Sequence, residues 1–185
     1  LKYHSFDSGV LYRSVGYKAK CMNISLSNEA ALVQIAKTLN IKTVDNRVFL
    51  DDVDKTTIIR SDEAGKLASQ VAKILSVRLA LRKLQLNMRK LPGLVTDGRD
   101  QSTIFDTPFR FFLITKATER AKRRKLQFEK MGIAADYESI LTEILRRDAS
   151  DINNPANPLK AHPEAIILDT TEVSAKQVAQ VILCM

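Results

Sequence analysis

The sequence predicts an α/β protein built on a doubly wound parallel sheet. Three observations carry that reading. Short continuous apolar runs, such as Leu94-Val95 and the stretch 109–115, read as buried strands. Longer stretches with apolar residues at helical spacing separate them. The apolar runs also stop abruptly in polar or glycyl residues, as strands do where they end in a ligand-facing loop.

Taken in order, the first apolar-to-polar switch is Phe6-Asp7-Ser8-Gly9-Val10-Leu11-Tyr12-Arg13. Residues 28–39 place Ala31, Leu32, Ile35, Ala36 and Leu39 on one helical face. Over 41–59 the texture becomes β-rich. Ile41-Lys42-Thr43-Val44, Arg47-Val48-Phe49-Leu50 and Thr56-Thr57-Ile58-Ile59 are separated by turn residues at Asp45-Asn46 and 51–54, which predicts a small antiparallel meander. Ser61-Asp62 offers an N-cap to a long helical pattern through Leu67, Ala68, Val71, Ile74, Leu75, Leu79, Leu84 and Met88. Its length predicts two helices with a break near 75–77, and Pro92-Gly93 stops it. Strands follow at 94–97 and, after Pro108, at 109–115. A charged amphipathic helix spans 116–131 and ends at Gly132. The next helix, 137–147, turns Ile140, Leu141, Ile144 and Leu145 inward. A Pro/Asn-rich loop occupies 153–163, a last strand 165–169, and Ser174 caps a last helix.

A chain of 185 residues with 45% hydrophobic content suits one domain with a sizeable core. No stretch approaches the ~18 apolar residues of a membrane span, and no signal peptide is visible. Cys21 and Cys184 lie far apart without zinc-type spacing, which fits a reduced, cytoplasmic protein. A formal net charge of +8 calls for an anionic partner: nucleic acid, a membrane surface or phosphorylated small molecules.

Ligands in such sheets bind beyond the carboxyl ends of the strands, so the polar residues just after each strand are the candidates. They are Asp7, Ser8 and Arg13; Arg99 and Asp100; Thr115; and 169–171. Arginine grips phosphate bidentately, although Arg13 and Arg99 also suit ordinary salt bridges. The run Lys122-Arg123-Arg124-Lys125 is either a solvated helix face or an anion site. It lacks the interleaved aromatics of a nucleic-acid surface, so a nucleic-acid partner is not expected. Arg146-Arg147, at a helix end before a mobile-looking loop, suits a lid over phosphates or a complement to the helix dipole. His4 and His162 stand alone, so no protein metal site is expected. Phosphoryl transfer needs no Ser/His/Asp or Cys/His set; it needs alignment and positive charge.

Several segments, in this order and spacing, resemble bacterial cytidylate kinases. They are 6–13, Arg60-Ser61-Asp62-Glu63-Ala64-Gly65-Lys66-Leu67-Ala68-Ser69, Leu91-Pro92-Gly93-Leu94-Val95-Thr96-Asp97-Gly98-Arg99-Asp100, Glu119-Arg120-Ala121-Lys122-Arg123-Arg124, and 147–151 with Pro158-Leu159. The resemblance covers nearly the whole chain. It implies a P-loop nucleoside-monophosphate-kinase fold in one domain over 1–185. A monophosphate-binding region would span about 14–90 and include the β insert 41–59; a lid would span about 146–162. The implied activity is ATP-dependent phosphorylation of CMP and dCMP, with Mg²⁺ carried by ATP. A monomer without membrane partners is expected.

By the same resemblance, Ser69, Arg78 and Asp100 read the cytosine, and Arg13 and Arg99 hold the substrate phosphate. Ser8, Arg147 and Asp151 contact the ribose side. Arg147 lies near phosphate too, and with Arg99 it forms the catalytic pair. Two departures qualify the expectation. The family's ATP-phosphate loop, Gly-x-x-x-x-Gly-Lys-[Ser/Thr], and the first strand of the sheet would precede Leu1. Residues 1–185 by themselves are therefore expected to bind CMP weakly and to turn none over, and the ATP-binding residues are unassigned. The family is also richer in arginine after the Arg147 position, where this chain has Ser150, Ile152 and Asn154; Lys160 is the candidate substitute. The alternatives are a non-catalytic nucleotide-binding module and a basic nucleic-acid-binding domain.

Overall fold

The computed structural model describes residues 2–130 and 132–185. Leu1, and Met131 at the expected end of a helix, lie outside them. The chain falls into two compact units, Leu1–Asp106 with Pro155–Asn157 and Thr107–Asn154 with Pro158–Met185.

In the first unit β1 (His4–Asp7) runs parallel to β5 (Leu94–Asp97), in register so that Asp7 lies opposite Asp97. Between them in sequence come α1 (Gly9–Cys21), α2 (Glu29–Lys37), β2 (Ile41–Val44), β3 (Arg47–Leu50), β4 (Val53–Asp54), α3 (Thr56–Ile59), α4 (Asp62–Val71) and α5 (Leu75–Asn87); α6 (Gln101–Ile104) follows β5. The core gathers round α1, whose Val10, Leu11, Val15 and Ala19 are buried against residues of α2, α4 and α5. Burying one such leucine stabilises by roughly 1.5–3 kcal/mol. Gly16 lets α4 come this close: a Cβ there would lie 2.7 Å from Leu67 Cβ.

Local chemistry sets the element ends. Asn28 caps α2, its Oδ1 accepting from Ala31 N at 3.1 Å. The β2–β3 and β3–β4 turns are two-residue loops with positive φ, 48° and 63° at Asp45-Asn46 and 51° and 62° at Asp51-Asp52. Asx residues tolerate that left-handed conformation, and its twist matches the flanking strands.

The third β-rich run is a correction. Thr56–Ile59 is a helical turn, and the third strand is Val53–Asp54. Asp54 Oδ1 accepts from Thr56 N (2.9 Å) and from Thr56 Oγ1 (2.6 Å), which pins a turn start where β-branched propensity favours a strand. Ser61 then caps α4 through Ala64 N at 3.2 Å, and the break before α5 falls at 72–74 rather than 75–77.

In the second unit β6 (Phe111–Ile114) pairs in parallel with β7 (Ile166–Asp169), Ile114 opposite Asp169. The helices are α7 (Ala117–Lys130), α8 (Tyr137–Ile152) and α9 (Ala175–Cys184). α8 runs on to Ile152 instead of stopping at 147. Ser174 and Gln177 form a capping box at the start of α9. The chain is thus an α/β protein, with two parallel strand pairs and one small antiparallel sheet among the described residues. Among the described residues, no helix is long and apolar enough to cross a membrane.

Candidate active site

The carboxyl ends of β1 and β5 lie side by side, and the chain leaves both toward helices. Ser8 N donates to Asp97 O at 3.0 Å, and Gly9 N to Asp7 Oδ1 at 2.8 Å. Gly98 has φ +152°, and a Cβ there would fall 2.0 Å from Ser8 Oγ. Glycine alone fits, and it lets the loop after β5 close over the buried Ser8. Asp97 keeps exposed surface as a residue, yet its carboxyl is crowded at the strand end. Lost hydration, and next the like charge of Asp7, raise its pKa, while Arg60 and Arg99 pull the other way.

Two residues beyond Gly98 the Asp100 carboxylate is buried, with 5% of the residue exposed. Its Oδ2 accepts from Tyr12 OH at 3.0 Å and from Arg78 NH2 at 2.8 Å. Its Oδ1 accepts from Gln101 Nε2 at 2.7 Å. That amide nitrogen also donates to Gln85 Oε1 at 2.9 Å, while Thr96 Oγ1 donates to Gln101 Oε1 at 2.8 Å. Arg78 is held from a second side, NH1 donating to Ala72 O at 3.2 Å, and its Cζ lies 5.7 Å from the centre of the Tyr12 ring. Thus α1, α5, β5 and α6 each contribute to one buried polar knot. Burial above all, and then the Asp100 charge, push the Tyr12 phenol far above its ordinary pKa, so it remains a hydrogen-bond donor. The result is a fixed pair, one carboxylate and one guanidinium, able to face a heterocycle carrying both an amino donor and ring acceptors.

Arg13 projects from α1 to the corner between α3 and α4, where NH1 donates to Ile59 O at 3.0 Å and Ser61 O at 2.7 Å. Arg99 is exposed, and its carbonyl accepts from Asn157 Nδ2 at 3.4 Å. Ser69 is half-buried on α4, one turn before Ala72.

In the second unit Arg147 and Asp151 stand one turn apart on α8, Nε to Oδ2 at 4.0 Å. Asp151 O accepts from Leu159 N at 3.0 Å, folding the following loop back onto the helix end. Arg120 makes a two-pronged pair with Asp148, NH1 to Oδ1 at 2.8 Å and NH2 to Oδ2, and Asp148 raises its pKa. Arg123 NH2 donates to the carbonyls of Thr170, Thr171 and Val173, closing the chain after β7.

A family model described as cytidylate kinase matches residues 1–185. The chain belongs to the cytidylate kinase family. Among its relatives, the cytidylate kinases of Azotobacter vinelandii and of Pseudomonas aeruginosa PAO1 are each 39% identical over 191 aligned positions, spanning 99% of this chain and 83% of the relative. That of Erwinia tasmaniensis is 36% identical over 189. Kinases of this family use ATP as phosphate donor and a nucleotide as acceptor.

Of the residues expected to serve a cytidylate kinase, the structure joins Arg78 and Asp100 directly. It sets Ser8 at the neighbouring strand end, fixes Arg13 on the α3–α4 corner, and pairs Arg147 with Asp151 along α8. Sequence reasoning did not find Tyr12, Gln85, Thr96 or Gln101. One signal was present: Val77, Leu81 and Gln85 are spaced i, i+4, i+8 and all are buried, so Gln85 is a polar residue on an otherwise apolar face. Arg60, whose charge reaches Asp97, was likewise not singled out as a site residue.

Proposed function

We propose that the protein transfers the terminal phosphoryl group of ATP to CMP, and to dCMP, yielding ADP and CDP or dCDP. The observation that carries this is the buried Arg78–Asp100 pair beyond the ends of β1 and β5, in a chain of the cytidylate kinase family. Cytosine offers an amino donor at C4 beside acceptors at N3 and O2, whereas uracil offers an acceptor at C4. Asp100 accepts from the amino group, Arg78 donates to the acceptors, and Ser69 completes the edge. Arg13 and Arg99 clamp the monophosphate. Ser8, Arg147 and Asp151 serve the ribose side, with Arg147 also near phosphate.

In the step itself, a phosphate oxygen of CMP attacks the γ-phosphorus of ATP. The new P–O bond forms as the bond to the β,γ-bridging oxygen breaks, and ADP carries away the electron pair. The protein's part is alignment and compensation of charge, chiefly by Arg99 and Arg147. Among the described residues, no three or more His, Cys, Asp or Glu side chains cluster as metal ligands. Mg²⁺ would arrive with ATP and would neutralise charge on its phosphates. Residues 14–90 form the monophosphate-binding region and 146–162 the lid, in a cytoplasmic monomer.

The test is ADP release by the full-length gene product with CMP, dCMP, UMP and AMP. CMP and dCMP should be the preferred acceptors. Equal use of UMP or AMP, or no nucleotide phosphorylated, would overturn the reading.

A further inference from the structure

The base-reading pair is not held by its own salt bridge alone. A carboxylate offers about four lone-pair sites. On Asp100, Oδ2 has two donors, Tyr12 OH and Arg78 NH2, and Oδ1 has one, Gln101 Nε2. One acceptor site therefore remains, on Oδ1, in a residue that is 5% exposed. Tyr12 touches both members of the pair: its hydroxyl bonds Asp100, and its ring lies 5.7 Å from the Arg78 guanidinium carbon. The tyrosine comes from α1, the most deeply packed helix, so its own position is fixed by the core.

We propose that Tyr12 is the positioning residue that sets cytosine selectivity, by holding Asp100 and Arg78 as one rigid unit with a single open acceptor. This rests on the reading that Asp100 faces the base. Without the hydroxyl, Oδ2 gains an open site and the carboxylate is freer to turn about its Cβ–Cγ bond. A water can then enter beside it and donate both to the carboxylate and to a uracil O4. The repulsion that excludes uracil is relieved, and the aligned bond to the cytosine amino group is loosened.

The experiment compares kcat and KM for CMP and UMP in the full-length wild type, Tyr12→Phe, Tyr12→Leu and Asp100→Asn, with Tm recorded for each. Tyr12→Phe keeps the ring and removes the hydroxyl. Its CMP-to-UMP ratio of kcat/KM should narrow about tenfold, the change lying mainly in the KM values. Tyr12→Leu, which also removes the ring beneath Arg78, should narrow it further. A Tyr12→Phe enzyme with an unchanged ratio, or with kcat lowered equally for both nucleotides at constant KM, would overturn the proposal. Asp100→Asn separates the two levels. If it changes the ratio while Tyr12→Phe does not, the positioning role fails alone; if neither changes it, the base-reading assignment fails as well.

Discussion

Asp100→Asn probes the site most directly, and the structure fixes what the amide must do. The new NH₂ is disfavoured at Oδ2, because that position faces Arg78 NH2, which has donors and no acceptor. The less costly place is Oδ1, where it opposes one donor, Gln101 Nε2, instead of two; that contact is lost unless the Gln101 amide turns its oxygen inward, and the other hydrogen of the new NH₂ points along the one open direction. There it can donate to a uracil O4 and meets the cytosine amino group donor to donor. The exchange should lower CMP turnover and narrow the CMP-to-UMP preference about tenfold or more, on the ~1–3 kcal/mol scale of one base contact. Stability falls as well, since Arg78 loses its charge partner in a pair whose side chains are 13% and 6% exposed. Breaking such a buried pair costs about 3–5 kcal/mol when one member is removed outright, and about 2–4 kcal/mol here because the amide oxygen still accepts. Tm should drop on the order of 5–10 °C. The assay is kcat/KM for both nucleotides by ADP release, beside a thermal melt. A lowered Tm with an unchanged ratio would mean that Asp100 only holds the fold together.

Arg99→Ala should reduce turnover by on the order of 2–4 kcal/mol of transition-state stabilisation with little change in Tm, as one clamp is lost from an exposed side chain; steady-state rates and a melt decide. Arg13→Ala should lose comparable activity and also lower Tm, because its NH1 ties the Ile59 and Ser61 carbonyls; a melt identical to wild type would contradict the tie. Asp97→Asn should raise Tm at neutral pH. Its folded pKa lies above the unfolded value, so the charged form penalises the fold above that folded pKa, and the gain should vanish below the ordinary ~3.9. A gain that persists in acid would reject this cause. Gly98→Ala should destabilise by about 2 kcal/mol or more through its backbone angle, with a further penalty from the contact with Ser8 Oγ, visible in denaturant unfolding.

The parts of the fold that are locally encoded were legible in the sequence. Asn28, Ser61 and Ser174 each announced a helix start, and Asp45-Asn46 a hairpin. α1 did not stand out, because Val10, Leu11, Tyr12, Ser14, Val15, Gly16 and Ala19 are buried on nearly every side and leave no amphipathic stripe to read. Thr56–Ile59 misled because a local carboxylate overrode β-propensity. The candidate site was legible only where strand ends expose it or a family resemblance points to it. The Asp100 knot joins Tyr12, Arg78, Gln85 and Gln101 across separations of up to 88 residues. No local pattern encodes a bond at that distance, and a tyrosine inside an apolar helix looks like ordinary core until its partner is seen.

Arg78 serves two masters. One nitrogen meets Asp100; the other covers the Ala72 carbonyl, which α4 leaves open where it ends. On the proposed reading that Arg78 faces the base, redirecting this enzyme to a different base is therefore as much a backbone problem as a side-chain one. A shorter or uncharged replacement at position 78 strips the helix end of its cover, and the turn that must readjust is the one that carries Ser69. A library that varies 78 alone would sample misfolded corners more often than new specificities, whereas one that varies 72–74 together with 78 lets the break in the helices move along with the guanidinium.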